Sequence, residues 1–483
     1  MIRRALLPVA FYLCCVINGL SSSHVLADSW PQFRGVNSSG IAVDEAELPA
    51  DIGPDKHVVW KVETPPGHSS PVVIDDRVFL TAIRGEKLLT MCLSRANGEV
   101  LWEREAPYEQ LEEVHRVGSK VQCTPASDGE IVVSFFGSCG LFCYSIDGEP
   151  LWNLPMGPFK NDFGAGNSPF IVEDRIILGQ DHDEDSFLMA IDKTTGETLW
   201  RTDRGEFARN YCTPIVWNVD GQKQLVVAGT LRVAGYDFET GEELWTVRGL
   251  SRVVCMTPVV SKEGYLIVAG WSAGVDEGTR LVLEPWDREI PRIDKNKNGS
   301  IEKDELDEQK DAAIFHRFVQ ADRNKDAVVS RAEYERFREL FDKSQNVILA
   351  VKPGGAGEIT DSHVVWQNTR NVPFCASPLY YNDVVFMVKD GGILTTLDAK
   401  TGDLIKQGRV DGTGSYYSSP VAGDGKVYLL NQVGQLTVVK ATGDYEILHS
   451  VEFGEDAYAT PAIIDGQIFL RTNGHLYCFG KTE

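Results

Sequence analysis

The chain is 483 residues long and carries 70 Asp and Glu against 47 Lys and Arg, a formal net charge of −23. A surface this acidic excludes nucleic acid and anionic membranes as partners and suits cations, cationic partners or simple solubility. With 45 glycines and 22 prolines in a chain that is 43% hydrophobic, the composition is that of a large, turn-rich globular protein.

At the amino terminus Arg3 and Arg4 precede an apolar stretch from Ala5 to Leu20, and Val25-Leu26-Ala27 before Asp28 offers a small-residue cleavage site. Residues 1–27 read as the signal peptide of an exported protein, periplasmic or secreted, and no other stretch is long and apolar enough to cross a bilayer. Phe11 and Tyr12 stand where a lipidation box needs small residues, so Cys14 is a poor lipid acceptor. Cleavage removes two arginines and no acids, which takes the charge to −25.

Eight Ser/Thr-Pro steps follow, at Pro71, Pro125, Pro169, Pro214, Pro258, Pro378, Pro420 and Pro461. The intervals are 54, 44, 45, 44, 120, 42 and 41 residues, a propeller-blade period with one over-long unit. Each unit continues with an apolar run, an acidic or Gly turn, two further apolar strands, a Gly-acid turn and a fourth strand with Trp. Trp102, Trp152, Trp200 and Trp245 each stand four residues after a glycine. The eighth unit stops after its third strand at Phe479, while His57-Val-Val-Trp60, which recurs as His363-Val-Val-Trp366, is an unpaired fourth strand. The expected fold is therefore all-β: an eight-bladed β-propeller of four-stranded antiparallel blades, with the strand near 57–63 closing the last blade and removing its open edge. The domains expected are 28–285 and 345–483 for the two parts of the propeller, with an insertion at 286–344.

Ala190-Ile-Asp192-Lys-Thr-Thr195-Gly196-Glu-Thr-Leu-Trp200 resembles the tryptophan-docking repeat of quinoprotein (PQQ-type) β-propellers, and Asp237 to Trp245 and Asp398 to Gly402 repeat most of it. Trp30-Pro-Gln-Phe-Arg-Gly35 and Lys389-Asp-Gly-Gly-Ile-Leu are similar to exported PQQ-like repeat proteins common in planctomycete-type bacteria. The resemblance implies that each Trp staples one blade to the next. Lys406 and Ile447 stand at the Trp position, which implies weaker docking around units six and seven.

Eight of the ten cysteines survive cleavage. Cys92, Cys143 and Cys478 hold equivalent third-strand positions, and Cys123, Cys212, Cys255 and Cys375 lie just before the Ser/Thr-Pro step, a repetition that reads as small packing residues. Cys139 fits neither group and could pair with a neighbour, although connectivity is not readable from sequence.

The insertion carries the sharpest chemical signal. Asp294, Asn296, Asn298, Gly299, Ser300, Ile301 and Glu305 fit a twelve-residue EF-hand loop, with oxygen side chains at positions one, three and five, Gly at six and Glu at twelve. A second loop offers Asp322, Asn324, Asp326, Val328 (through its carbonyl) and Glu333, with Ala327 in place of the glycine. Calcium is the expected ion, held more weakly by the second loop. Ile301 and Val329 are placed to pair. One helix is expected over 303–319 and an exiting helix over 332–341, while Pro285 and Pro291 argue against a regular entering helix.

The insertion leaves between the second and third strands of unit five, on the face where each fourth strand crosses to the next blade. Those crossings carry His68, Gln122, Asn167, Tyr211, Arg252, Asn371 with Phe374, Tyr416 with Tyr417, and Tyr458, the candidate ligand ring of a funnel mouth that the insertion would partly cover.

Two functions remain. One is a non-catalytic exported binding or scaffold protein that takes a peptide, glycan or protein at the mouth, with calcium for stability. The other, implied by the resemblance, is a dehydrogenase using pyrroloquinoline quinone and calcium on an alcohol or sugar. That class clamps its cofactor with adjacent cysteines, and residues 28–483 contain no Cys-Cys pair. No His-Glu-x-x-His helix or Gly-x-x-x-x-Gly-Lys loop is present. No catalytic residue is assigned.

Overall fold

The computed structural model describes residues 29–481 except positions 45, 162 and 277, so the expected signal peptide lies outside the described residues. Each Ser/Thr-Pro unit founds one blade of four antiparallel strands in simple up-and-down order, from Val72–Ile74 through Val100–Ala106 in blade one to Ala462–Ile464, Gln467–Arg471 and His475–Phe479, the three that unit eight supplies; Ser29–Trp30 adds a fifth strand to blade one and the parallel Gly357–Glu358 a fifth to blade four. Val58–Glu63 pairs with His475–Phe479 as the fourth strand of blade eight, Trp60 opposite Cys478. The fold is an eight-bladed β-propeller closed by its own amino-terminal strand. Among the described residues no helix is long and apolar enough to cross a membrane.

Two repeated contacts hold the ring. On the outside, an indole of one blade lies against the Gly turn of the next: a Cβ on Gly98, Gly148, Gly196, Gly241 or Gly402 would come within 2.4–2.8 Å of Trp60, Trp102, Trp152, Trp200 or Trp366 (or, at Gly98, of Val62). Each of those indole N–H groups donates to a turn carbonyl of the next blade, as Trp102 does to Ile146 (3.1 Å) and Trp366 to Ala399 (3.0 Å). Two departures are compensated. Trp245 turns inward to Gln224 (2.7 Å), and Trp217 of the same blade donates instead to Gly264 of blade five (3.0 Å). Lys406 replaces the indole with an ammonium that lies 4.3 Å from the centre of the Tyr445 ring and donates to the Tyr445 carbonyl (2.6 Å).

On the inside, the Ser/Thr of each step forms a circular chain. The amide of Ser70 donates to the Thr124 hydroxyl, Thr124 to Ser168, Ser168 to Thr213, Thr257 to Ser377, Ser377 to Ser419, Ser419 to Thr460, and Thr460 back to Ser70, all at 3.0–3.1 Å. The chain breaks only between Thr213 and Thr257, where the Thr257 hydroxyl is buried without a partner. This link explains the rhythm: a side-chain oxygen is needed to accept the neighbour's amide, and the proline after it starts an innermost strand whose axial edge asks for no donor.

The segment before the closing strand crosses the opposite face. Trp30 pairs with Val73 of blade one, Asn37 bonds Val216 of blade four, Arg34 donates to the Pro378 carbonyl of blade six (2.8 Å), and Ile41 bridges Ala422 of blade seven. Arg34 is fully buried, and burial pulls its pKa down to about 9.

The insertion leaves after strand Leu266–Gly270 and returns at Val347–Val351, the second and third strands of blade five. It has its own core, in which Ile293, Ile301, Phe318, Val329, Tyr334, Phe337 and Phe341 meet. Its helices differ from expectation in two places. An entering helix does form, Trp286–Ile293, because Pro285 precedes its first turn and Pro291 falls only two residues before its end. The expected helix over 303–319 is broken into Lys303–Glu305, Ala312–Phe315 and Phe318–Ala321. Asp307 and Asp311 cause the break: the Asp307 carboxylate accepts the amides of Gln309 and Lys310, and Asp311 accepts that of Asp307, turns that compete with the helix. The exiting helix, Arg331–Lys343, is capped by Ser330 with Glu333.

Candidate functional site

A cavity of about 240 Å³ sits on the propeller axis, on the face where fourth strands cross to the next blade. Its floor is the hydroxyl chain, represented by Ser70, Thr124, Ser168, Ser377, Ser419 and Thr460, with Phe33 from the segment on the opposite face. Its wall follows one rule. The residue two places before each Ser/Thr faces inward in all eight blades: His68, Gln122, Gly166, Tyr211, Cys255, Cys375, Tyr417 and Tyr458. Phe163 and Phe374 widen the aromatic wall, and among the described residues no Lys, Arg, Asp or Glu lines it.

The wall side chains hold one another. His68 stacks on Tyr458 at 3.9 Å, Tyr458 on Tyr417 at 5.5 Å, and Phe163 meets Tyr211 edge-on at 6.2 Å. Burial, with Arg471 behind it, pulls the His68 pKa down to about 4, so the ring is neutral at neutral pH. Arg471 fixes the His68 segment by donating to the Ser69 and Thr81 carbonyls (3.0 Å each). Gln122 donates to the Phe163 and Ala165 carbonyls (3.0 and 2.9 Å) and accepts the Ser119 amide, so its amide is committed to shaping the rim. Burial pushes the Tyr417 phenol up to about 12.

Of the candidate ring, the structure brings His68, Gln122, Tyr211 and Tyr458 together in the cavity, along with Phe374 and Tyr417. It does not bring Asn167, Arg252, Asn371 or Tyr416 there. Asn167 is one residue out of register and buried, bonded to the Cys212 carbonyl. Tyr416 is likewise one residue out and packs between blades six and seven. Asn371 lies at the surface bonded to Gln407. Arg252 faces the insertion, 4.5 Å from the Phe341 ring centre and bonded to Gln320. Gly166, Cys255 and Cys375 are the wall positions that the sequence reading missed, and the constant offset from the Ser/Thr was the signal.

The two insertion loops lie side by side, with Ile301 opposite Val329 and Glu302 opposite Val328 in an antiparallel pair. In the first, the Asp294 carboxylate accepts the amides of Asn298 and Gly299, the Asn298 side chain accepts that of Ser300, and Glu305 accepts those of Lys295, Asn296 and Glu302. Burial raises the Glu305 pKa, but the backbone donors outweigh it and bring the carboxyl down to about 2. Asp322, Asp326 and Glu333 repeat this pattern, and Ala327 takes a φ of 71° where the first loop has Gly299 at 82°. Asn296, Ser300, Asn324 and Val328 occupy the remaining oxygen-bearing positions of the two loops. Among the described residues no cluster of three or more His, Cys, Asp or Glu gathers at one point.

The insertion rests on blades three and four. Arg323 donates to the Asp183 and Gly205 carbonyls (2.6 Å each), Arg209 to the Val319 carbonyl (3.0 Å), Arg336 to Glu206, and Lys160 to Asn324. It stands beside the axial cavity and supplies none of its lining, so it is a neighbour of the mouth and not a cover.

Gly270-Trp271-Ser272-Ala273-Gly274 has the Gly-x-Ser-x-Gly spacing of a nucleophile elbow. Ser272 is buried, its hydroxyl accepts from Ser251 (2.7 Å) and its amide donates to Asn346, with no His or acid in contact with the hydroxyl. No helix follows it, and the serine ties the start of the insertion to the blade. The eight described cysteines are free thiols, and Cys139 donates to the Pro107 carbonyl and pairs with no other cysteine.

A family model described as outer membrane protein assembly factor BamB matches residues 41–157, 91–275 and 319–483. The chain belongs to that family. It is a PQQ-like β-propeller. No curated protein matches it in sequence. Among solved structures, BamB from Moraxella catarrhalis aligns with a TM-score of 0.54 at 12% identity, over 88% of this chain and 98% of its own. The computationally designed Ika8 protein aligns at 0.53 and 12%, over 88% and 99%. A europium-containing methanol dehydrogenase reaches 0.48 at 10%, over 94% and 98%. The first two likenesses speak for the propeller fold alone.

Proposed function

We propose that this chain is an exported, calcium-binding propeller that acts without catalysis, holding an aromatic or other apolar side chain of a partner polypeptide in its axial cavity. The observation that carries this reading is the lining: aromatic walls, a neutral imidazole and a hydroxyl floor, with no charged side chain among the described residues, in a protein of charge −23. Such a pocket desolvates an uncharged ring at low cost and penalises a charge left without a partner. The family description, outer membrane protein assembly factor, supports a polypeptide partner over a glycan.

The same lining does not fit pyrroloquinoline quinone. Three carboxylates would enter a site that offers them no Lys or Arg, and the cavity thiols come from different blades instead of adjacent positions. Calcium is a separate part of the reading and rests on the donor chemistry of the two loops: carboxylates, amides and a backbone carbonyl, with a left-handed residue at each sixth position.

Calorimetric titration with the acetyl-amides of phenylalanine and tryptophan, methyl glycosides and the quinone tests the cavity. Uptake of the aromatic amides, lost on widening the wall with Tyr417→Ala, is expected. Stoichiometric quinone uptake, or glycoside binding without aromatic binding, would overturn the reading. Calcium is tested on its own by thermal shift and by the Glu305→Gln/Glu333→Gln variant; unchanged calcium stoichiometry in that variant would sink the loop assignment.

A further inference from the structure

Cys255 and Cys375 stand apart from the other cysteines. Of the eight described, the remaining six are buried, whereas these two are partly exposed and line the axial cavity. They occupy the inward-facing position, two before the Ser/Thr, in consecutive blades five and six. Wall residues at that position in consecutive blades touch: His68 of blade one stacks on Tyr458 of blade eight, and Tyr458 on Tyr417 of blade seven. The same juxtaposition puts the two thiols together. Two residues on, the Thr257 amide donates to the Ser377 hydroxyl at 3.0 Å, which pins the backbones side by side.

We propose that Cys255 and Cys375 form a reactive dithiol in the cavity wall, a modification site that closes into a disulfide between blades five and six when a small uncharged dialkyl disulfide enters the cavity. The exchange balances in two steps. The Cys255 thiolate attacks one sulfur of the reagent, its S–S bond breaks, and one reagent thiol leaves with a proton. The Cys375 thiolate then attacks the Cys255 sulfur of the mixed disulfide and displaces the second reagent thiol. The two cysteines lose two protons and two electrons, and the reagent takes them up as two thiols. Cys375 is the poorer first nucleophile, because the neighbouring Cys255 thiol and then burial hold its pKa well above the ordinary thiol value. The uncharged lining is what admits an uncharged reagent. The inference does not depend on what else occupies the cavity.

The test treats the folded, reduced full chain with 2-hydroxyethyl disulfide and follows intact mass and the peptide map. The expected product is lighter by two hydrogens, carries no reagent, yields one Cys255–Cys375 cross-linked peptide and returns to the starting mass with dithiothreitol. Cys375→Ser should stop at a stable single adduct on Cys255, and Cys255→Ser should give no cross-linked peptide. Adducts on both cysteines without a cross-link, or a folded wild-type chain in which neither reacts, would overturn the proposal. Should either variant fail to fold, the wild-type cross-link map decides alone.

Discussion

At single residues, conformation and burial set most of what can be tested. Ala327 holds a φ of 71° at the sixth position of the second loop, a region that costs an L-residue about 1 kcal/mol. Ala327→Gly relieves this without touching a donor atom. Stability should rise by up to about 1 kcal/mol, and any calcium affinity of the second loop should rise with it, both readable by thermal shift with and without calcium. His68 and His182 make a pH prediction. Burial holds the His68 pKa at about 4 and the His182 pKa at about 3, against 6.5 for the exposed imidazole. As pH falls below 6.5 the unfolded chain takes up these protons first, so the stability they contribute is complete above about 6.5 and is lost as pH drops through 4. A loss of about 1–3 kcal/mol per ring is expected over that range. His68→Gln should flatten the profile of denaturant midpoint against pH; an unchanged slope would contradict the buried neutral ring.

At the scale of the strand and blade, the docking contact is the unit. Trp366 buries its ring on Gly402 and bonds Ala399, so Trp366→Ala should cost about 3–5 kcal/mol. Lys406 does the same task with an ammonium on Tyr445 and two carbonyls, and Lys406→Ala should cost about 1 kcal/mol. Urea unfolding of the two variants checks the ranking. The substitution at Lys406 was readable as a weak link; the structure shows what replaces the indole, which needed the position of Tyr445. The repeat period and the strand count were legible because they rest on a local pattern that recurs eight times, and the closing strand because His57-Val-Val-Trp60 recurs as His363-Val-Val-Trp366. The cavity wall was half legible. His68, Gln122, Tyr211 and Tyr458 sit at the inward offset, whereas Asn167 and Tyr416, polar or aromatic residues near their steps, stand a single residue out of register. In an extended segment one residue reverses the face. The broken helix after the first loop had a visible cause as well, since Asp307 and Asp311 are both turn-forming, yet apolar spacing alone cannot weigh side-chain turns against a helix.

For the whole molecule, the amino-terminal segment does two separable things. Residues 58–63 complete blade eight, while the run from Trp30 to Ile52 crosses the far face, with Phe33 under the cavity and Arg34, Leu48 and Ile52 packed against the blades. Removing residues 29–56 should keep the ring closed but open the axis from below, giving a monomer that is less stable and has lost the floor supplied by Phe33. Removing residues 29–63 leaves His475–Phe479 as a bare edge, its backbone donors and acceptors unpaired along a strand whose buried side chains include Leu476, Tyr477 and Cys478. Such an edge recruits another chain. Light scattering on the two truncations separates the roles: the shorter deletion is expected to remain monomeric and the longer one to associate with rising concentration. A longer truncation that stayed monomeric and as stable as the shorter one would mean that the ring does not depend on its closing strand.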